Sequence, residues 1–189
     1  MRRLAVSALS VLAAVFFLPA VGACGESALS EPAIPRFQRV AEGLYRGGRP
    51  TPAGLAFLKQ KGVKTVVNLR PEDGERALAE KLGMKYVHLP ISAWDRVPSE
   101  TIQTFFQIVR EPAKQPVFVH CQRGADRVGV MVGFYRIAFQ SWDGEKAYRE
   151  ARAMGMRWWF RGLKHQLYEF AAQQAVARDA SARDKPGAQ

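Results

Sequence analysis

The sequence predicts a single α/β domain with a central, mostly parallel sheet flanked by helices. Two observations predict this class. Short apolar runs, typical of buried strands, alternate along the chain with longer segments of helical periodicity. One such run, at 116–120, leads through a short glycine-containing loop into a helix-like run at 127–139. Because strands joined by helices pair in parallel, the alternation favours a parallel sheet with the loop at one edge.

The predicted elements follow one another in a regular order. Strands are predicted near 64–69, 85–89 and 116–120, and helices near 51–61, 75–82, 99–109, 127–139, 144–154 and 163–174. The chain has 189 residues, 48% of them hydrophobic and 24% charged, which suits one globular domain with a sizeable core. Ligands bind such sheets at the carboxyl ends of the strands, so the loop after the third predicted strand is the predicted site.

Residues 1–23 have the pattern of a secretory signal peptide. Two arginines precede an apolar run from Leu4 to Leu18, which is too short for a transmembrane span, and small residues follow up to Ala23. The sequence VGAC at 21–24 also resembles a bacterial lipoprotein cleavage box, in which Cys24 becomes the lipidated first residue. Ordinary cleavage after Ala23 is the alternative. We therefore expect an exported protein, either periplasmic or attached to a membrane only through a lipid on Cys24.

The other boundaries follow from composition. Residues 24–36, rich in small residues and proline, are predicted to form a linker, residues 37–172 the folded domain, and residues 173–189 a polar C-terminal tail. The chain has two cysteines, one at the cleavage junction and one in the predicted loop, so no structural disulfide is expected.

The stretch VHCQRGADRVG at 119–129 carries the most specific signal in the chain. Cys121 lies at the end of a predicted strand and Arg127 at the start of a predicted helix. The backbone N–H groups between them can form an anion-binding nest, and the helix dipole adds positive charge; both favour a nucleophilic thiolate. The planar guanidinium of Arg127 can bind two phosphoryl oxygens and stabilise the charge that develops during transfer. Both residues are therefore predicted to be catalytic.

The residues around this pair are predicted to contact the substrate. They are His120, Gln122, Arg123, Gly124, Ala125 and Asp126.

The stretch resembles the His-Cys-x-x-Gly-x-x-Arg loop of the cysteine-dependent protein tyrosine and dual-specificity phosphatases. Upstream, LYRGGRP at 44–50, GVKTVVNLR at 62–70 and YVHLPI at 86–91 are similar to segments of small bacterial and fungal dual-specificity phosphatases. The resemblance implies hydrolysis of phosphate monoesters through a phosphocysteine intermediate, without a metal or another cofactor. It also implies that His120 lies behind the loop and tunes the thiolate, with a core histidine as the alternative.

The family also draws a general acid from an aspartate on an upstream loop, because the leaving alcohol or phenol needs a proton. In this chain the segment 92–98 offers Asp95, beside Trp94 and 26 positions before Cys121. Asp126 and Asp73 are the alternative acids.

One position departs from the pattern of the family. Directly after the loop arginine the family usually has Ser or Thr, whose hydroxyl hydrogen-bonds the leaving sulfur, whereas this chain has Val128. We expect Cys121 to attack normally but the phosphocysteine to be hydrolysed slowly, so that a burst precedes steady turnover.

Charge indicates an anionic substrate. The net charge is +11, and +9 without Arg2 and Arg3, since residues 1–23 contain no acidic side chain. Eight basic residues are candidates to line the cleft: Arg46, Arg49, Arg70, Arg96, Arg123, Arg157, Arg161 and Lys164. No nucleic-acid partner is expected, because the sequence contains no recognisable nucleic-acid-binding motif.

Three functions are compatible with the sequence, which does not predict an oligomeric state. The first is a phosphatase of phosphotyrosine, phosphoserine or phosphothreonine in proteins. The second applies the same chemistry to an exported, highly phosphorylated small molecule such as an inositol phosphate, as in the cysteine phytases. The third is a catalytically weak, phosphate-binding regulatory lipoprotein.

Overall fold

The computed structural model describes residues 34–183, which form a five-stranded sheet with helices packed on both faces. The strands are β1 (Gln38–Ala41), β2 (Leu44–Gly47), β3 (Thr65–Asn68), β4 (Lys85–His88) and β5 (Val117–His120). The helices are α1 (Pro52–Gln60), α2 (Arg76–Lys81), α3 (Ser99–Arg110), α4 (Asp126–Gln140), α5 (Gly144–Ala153) and α6 (Arg161–Arg183), and a 3₁₀ turn covers Pro112–Lys114.

The strands lie in the order β1-β2-β5-β3-β4. β1 pairs with β2 antiparallel, and the other three pairings are parallel. The predicted α/β class with a mostly parallel sheet is therefore confirmed, and the three predicted strands and six predicted helices are present.

The hairpin of β1 and β2 is not among the predicted elements. Each strand has only four residues; β1 is largely exposed, and β2 carries the buried Arg46 where an apolar residue would signal a strand. Neither strand thus has a recognisable local pattern. β2 is defined by its pairing with the distant β5, which no short stretch of sequence reveals.

The side chains of β5 alternate between two cores. Val117 and Val119 pack in the larger core with residues of α3, α4, α5 and α6, whereas Phe118 packs in the smaller core with residues of α1 and α2. All four residues of β5 are buried. A central strand covered on both faces needs apolar side chains on both, which explains the continuous apolar run in this part of the sequence.

The four parallel strands end in register. Gly47 is paired with His120, His120 with Asn68, and Asn68 with His88. The segments that follow these strands therefore meet at one edge of the sheet, and the segment after β5 lies among them.

Both ends of the described chain extend beyond the predicted domain. Ile34 is buried, the carbonyl of Pro35 accepts a hydrogen bond from Gly48 N at 2.6 Å, and Arg36 also contacts the domain, so residues 34–36 of the predicted linker are packed. At the other end, α6 runs through the first part of the predicted tail as a mostly exposed helix. The rest of the predicted linker, the predicted signal peptide and the end of the predicted tail lie outside the described residues. Within 34–183, no helix is long and apolar enough to cross a membrane.

Candidate active site

Residues 121–125, here called the cysteine loop, connect the end of β5 to the start of α4. Cys121 follows the last residue of the strand and is 2% exposed as a free thiol. Arg127 lies in the first turn of α4, whose N-terminus faces the loop. The predicted strand, loop and helix are thus present, with the thiol and the guanidinium at the two ends of the loop.

Three successive carbonyl groups of the cysteine loop are bound by one N-terminal segment. The carbonyl of Gln122 accepts a hydrogen bond from Arg49 N at 3.2 Å, that of Arg123 from Arg36 Nη1 at 3.1 Å, and that of Gly124 from Arg46 Nη2 at 3.1 Å. In a trans peptide the N–H group points away from the carbonyl, so the N–H groups that follow these carbonyls are turned away from the segment.

The N–H groups concerned are those of Arg123, Gly124 and Ala125. None of them has a hydrogen-bond partner within residues 34–183. Adjacent, unpaired N–H groups beside a helix N-terminus form an anion-binding concavity, and Cys121 stands at its edge.

Glycine is the residue type that fits position 124 of the loop. Its φ of 72° lies in the left-handed region, and a Cβ atom there would come within 2.5 Å of the backbone of Gly47 and Gly48. The loop can therefore approach the end of β2 closely enough for its carbonyls to be bound only because position 124 has no side chain.

The guanidinium of Arg127 is oriented by the end of β3, since its Nη1 donates to the carbonyl of Leu69 at 3.2 Å. It lines an open cleft of about 500 Å³. The remaining lining residues are largely apolar: Pro71, Pro90, Ile91, Ser92, Ala93, Trp94, Arg157 and Phe160. Of the two arginines in this cleft, Arg157 pairs with Asp126, whereas Arg127 has no ion pair with another side chain of residues 34–183. A single unpaired cation in a largely apolar cleft suits a substrate with one phosphoryl group on an apolar carrier.

Asp126 has a different environment from the one predicted for a substrate-binding residue. The residue is 4% exposed. Its Oδ1 accepts a hydrogen bond from Arg157 N at 2.8 Å, and its Oδ2 forms ion pairs with Arg157 Nη2 at 3.1 Å and Arg123 Nη1 at 3.4 Å. These bonds hold the segment between α5 and α6 against the cysteine loop. The carboxylate thus supports the fold internally and is poorly placed as the general acid, while contact between Asp126 and the substrate stays a prediction.

Asp95 lies on the segment between β4 and α3 that forms one wall of the cleft through its neighbour Trp94. Its carboxylate is exposed and has no hydrogen bond or ion pair with residues 34–183. Asp73, the other alternative acid, pairs with Arg76 at 2.9 Å. Asp95 is therefore near the cleft and unpaired, while its role as general acid stays a prediction.

His120 lies behind the loop, completely buried, with its ring stacked on Phe118 at a centroid distance of 5.6 Å. Burial, and next the charge of Arg70, lower the pKa of His120 to about 3. The imidazole is therefore neutral at physiological pH. Its side chain is part of the core, next to Cys121 in the chain, and its predicted contact with substrate stays a prediction.

Several predicted cleft arginines have other positions. Arg46 is 1% exposed beneath the cysteine loop. Arg49 and Arg70 share the buried carboxylate of Glu75, whose Oε1 lies 2.6 Å from a nitrogen of each. Arg96 pairs with Glu169 at 2.6 Å. Only Arg157 of the eight candidates lines the cleft, because the others are engaged elsewhere or lie outside it.

A parallel sheet that presents a Cys-x5-Arg loop, with the loop carbonyls bound behind it and an arginine in front, defines a cysteine-dependent phosphatase. The family described as "DSP-PTPase phosphatase fused to NAD+ Kinase" matches residues 26–161. The chain belongs to this family of dual-specificity-type phosphatase domains.

Individual relatives agree with this assignment. The chain is 34% identical over 118 residues to the dual specificity protein phosphatase TpbA of Pseudomonas aeruginosa, covering 62% of this chain and 53% of TpbA. It is 29% identical over 113 residues to the inositol diphosphatase DSP4 of Arabidopsis thaliana, covering 56% of this chain and 57% of DSP4. The chain thus spans about half the length of each of these two relatives.

Solved structures show the same fold. The crystal structure of TpbA matches with a TM-score of 0.63 and 27% identity, covering 77% of this chain and 98% of that chain. The catalytic core of the PP-IP phosphatase SIW14 from Saccharomyces cerevisiae matches with a TM-score of 0.64 and 26% identity, covering 79% and 93%. A further TpbA structure contains pTyr.

Proposed function

We propose that the protein removes phosphate from phosphotyrosine, phosphoserine or phosphothreonine in proteins. The Cys121 thiolate attacks phosphorus in line while the N–H groups of the loop and Arg127 bind the equatorial oxygens. Asp95 gives its proton to the departing oxygen of the alcohol or phenol. Water then attacks the phosphocysteine, which releases inorganic phosphate and restores the thiol; this step needs no metal.

The unpaired N–H groups of the cysteine loop, facing away from three bound carbonyls, support this proposal best. Such a concavity fits the three equatorial oxygens of a phosphoryl group in transfer, and its donors need no rearrangement when charge develops. The single thiol at its edge supplies the nucleophile.

The cleft wall supports an aromatic phosphoester over a polyanion. Trp94 and Phe160 meet edge to face with ring centroids 4.7 Å apart, and Ile91, which lines the same cleft, is buried. A phenyl ring placed against this wall would gain apolar contact, whereas several phosphate groups would be desolvated there with few cations to bind them.

The first experiment measures metal-free phosphate release from an aryl phosphate by the full chain in EDTA, beside Cys121→Ser. Release that disappears in the variant supports the proposed chemistry, and an active Cys121→Ser protein excludes it. Binding of phosphate without turnover by the reduced parent protein would instead support a phosphate-binding role.

An inositol phosphate is the second candidate substrate. It is favoured by Arg157, a second cation in the cleft, and by the similarity of the chain to the inositol diphosphatase DSP4 and the PP-IP phosphatase SIW14. A comparison of kcat/KM on a phosphotyrosine peptide and on inositol hexakisphosphate separates the two. Trp94→Ala should lower kcat/KM on the peptide by about tenfold, because it removes the ring contact, and should change the value for the inositol phosphate little. The opposite pattern would favour the inositol phosphate.

We also propose that the protein is exported and that Cys24 carries a lipid, on the sequence pattern of residues 1–24 alone. Cells that express the full chain should incorporate labelled palmitate into it, and Cys24→Ala should abolish the label. A periplasmic protein without label would indicate ordinary cleavage after Ala23, and a cytoplasmic protein would exclude export.

A further inference from the structure

Arg46 is a buried cation at the centre of the fold. It lies on β2, is paired in register with Val119 of β5, and is 1% exposed. A charged side chain so completely removed from water is costly unless other groups compensate its charge.

The hydrogen bonds of Arg46 compensate it only in part. Nη2 donates to the carbonyl of Gly124 at 3.1 Å, while Nε and Nη1 have no partner within residues 34–183. The single bond leads directly to the cysteine loop. Its acceptor is the glycine whose close approach to β2 shapes the loop.

The charges facing Arg46 are of both signs. Burial lowers the pKa of Arg46 to about 10, attraction to Glu150 and Cys121 opposes this, and repulsion from Arg136 and Arg36 adds to it. Glu150 is already paired with Arg136, whose Nη2 lies 2.6 Å from its Oε1. The carboxylate is therefore shared. Arg46 is paired in register with Val119, whose side chain packs in the same core as Cys121 two residues further on, so the guanidinium and the thiol lie on one face of the sheet.

We propose that Arg46 is a positioning residue of the active site, which holds the Gly124 carbonyl beneath the cysteine loop and stabilises the Cys121 thiolate with its buried charge. It acts from the β2 side of β5, whereas Arg127 is held on the β3 side through Leu69. The thiol would then be flanked by two guanidiniums, of which only Arg127 faces the substrate. This role deepens the proposed phosphatase function and rests on it.

Two substitutions separate the charge of Arg46 from its hydrogen bond. Arg46→Lys and Arg46→Gln both place a flexible side chain with an N–H donor on β2, but only lysine is positive. Arg39→Gln is the matched control, since Arg39 lies on the neighbouring strand, is exposed and has no partner within residues 34–183. The measured quantity is the rate at which iodoacetamide alkylates Cys121 at pH 6, followed on the Cys121 peptide by mass spectrometry so that Cys24 does not interfere.

Arg46→Gln should slow alkylation by about tenfold or more, because the thiolate loses a buried positive charge, and Arg46→Lys should stay within about threefold of the parent. Arg39→Gln should match the parent. Equal losses for lysine and glutamine, or a parent-like rate for glutamine, would overturn the proposal. If Arg46→Gln does not unfold cooperatively, Arg46→Met replaces it as the neutral variant: alkylation about tenfold slower than in Arg46→Lys supports the proposal, and equal rates in the two variants overturn it.

The alkylation test does not depend on catalysis. A protein whose thiol responds to Arg46 as expected, yet releases no phosphate from an aryl ester, would contradict the proposed phosphatase function and leave the role of Arg46 intact. A protein that releases phosphate normally, but whose alkylation rate does not depend on Arg46, would contradict the role of Arg46 and leave the phosphatase function intact.

Discussion

Asp126 and Arg157 join the cysteine loop to the opposite wall of the cleft. Oδ1 of Asp126 accepts a hydrogen bond from the backbone N–H of Arg157 at 2.8 Å, and Oδ2 lies 3.1 Å from Arg157 Nη2. Asp126 directly precedes Arg127, and Arg157 lies three residues before Phe160 in the cleft wall. One buried carboxylate thus positions both the arginine that we predict to bind phosphate and the cleft wall that we predict to contact the rest of the substrate.

Asp126→Asn should therefore weaken both stability and catalysis. Only one of the two terminal atoms of the asparagine amide accepts hydrogen bonds, so the donors at the other atom lose their partner. This loss should lower the free energy of unfolding by about 2 kcal/mol and the melting temperature by about 4–8 °C. We expect kcat/KM on an aryl phosphate to fall by about tenfold, because the segment that forms the cleft wall is no longer held against the cysteine loop. The control is Asp179→Asn, on an exposed part of α6 without partners in the described chain. A variant at 126 that melts and reacts like the parent would contradict the supporting role.

Substitution of Asp95 should show a dependence on the leaving group. Asp95→Asn is expected to lower kcat/KM about 100-fold on phenyl phosphate, whose phenol needs a proton, and less than about tenfold on p-nitrophenyl phosphate, whose phenol does not. The ratio kcat/KM is the right measure because it reports phosphoryl transfer to Cys121 and not the later hydrolysis. Asp73→Asn serves as control, since its carboxylate pairs with Arg76. If the leaving group matters equally in the parent and in Asp95→Asn, the acid is another residue.

The parts of the site that the sequence reveals are the local ones. Cys121, Gly124 and Arg127 lie within seven residues, and the strand and helix on either side have clear periodicity, so the loop could be predicted from one stretch. The position of Arg46 could not. Its bond to Gly124 joins residues 78 positions apart and depends on the pairing of β2 with β5, so an arginine predicted for the cleft lies beneath it.

The sequence pattern does not predict the last nine residues of α6, 175–183, for a related reason. Helical periodicity is read from buried apolar side chains, and the last of these in α6 is Leu167. Beyond it the helix is mostly exposed and polar, so the stripe that predicts a helix fades near Gln174 although the backbone continues to Arg183. The cleft position predicted for Arg157 is present, but its bond to Asp126, 31 positions away, has no signal in the local sequence.

Val128 should make the second chemical step slow. Its side chain is completely buried in the core that includes Cys121, so no hydroxyl from this position can bond the departing sulfur. The parent should show a burst of phenol release, and Val128→Thr should shrink the burst and raise kcat several-fold, at a cost of about 1 kcal/mol of stability. Val130→Thr adds the same hydroxyl to a buried position farther along α4, and should destabilise without raising kcat. Linear time courses in the parent, with no gain in Val128→Thr, would remove this explanation.

His120 should make the fold sensitive to mild acid. Burial, and next Arg70, lower the pKa of His120 to about 3 in the folded protein, whereas a histidine in an unfolded chain has a pKa of about 6.5. Between these values the unfolded chain binds the extra proton, so the free energy of unfolding falls as the pH drops below 6.5, by about 2 kcal/mol at pH 5. Urea unfolding at pH 7 and pH 5 measures this difference. It should shrink in His120→Gln and persist in His165→Gln, whose histidine is exposed on α6; an unchanged difference in His120→Gln would assign the acid sensitivity to other groups.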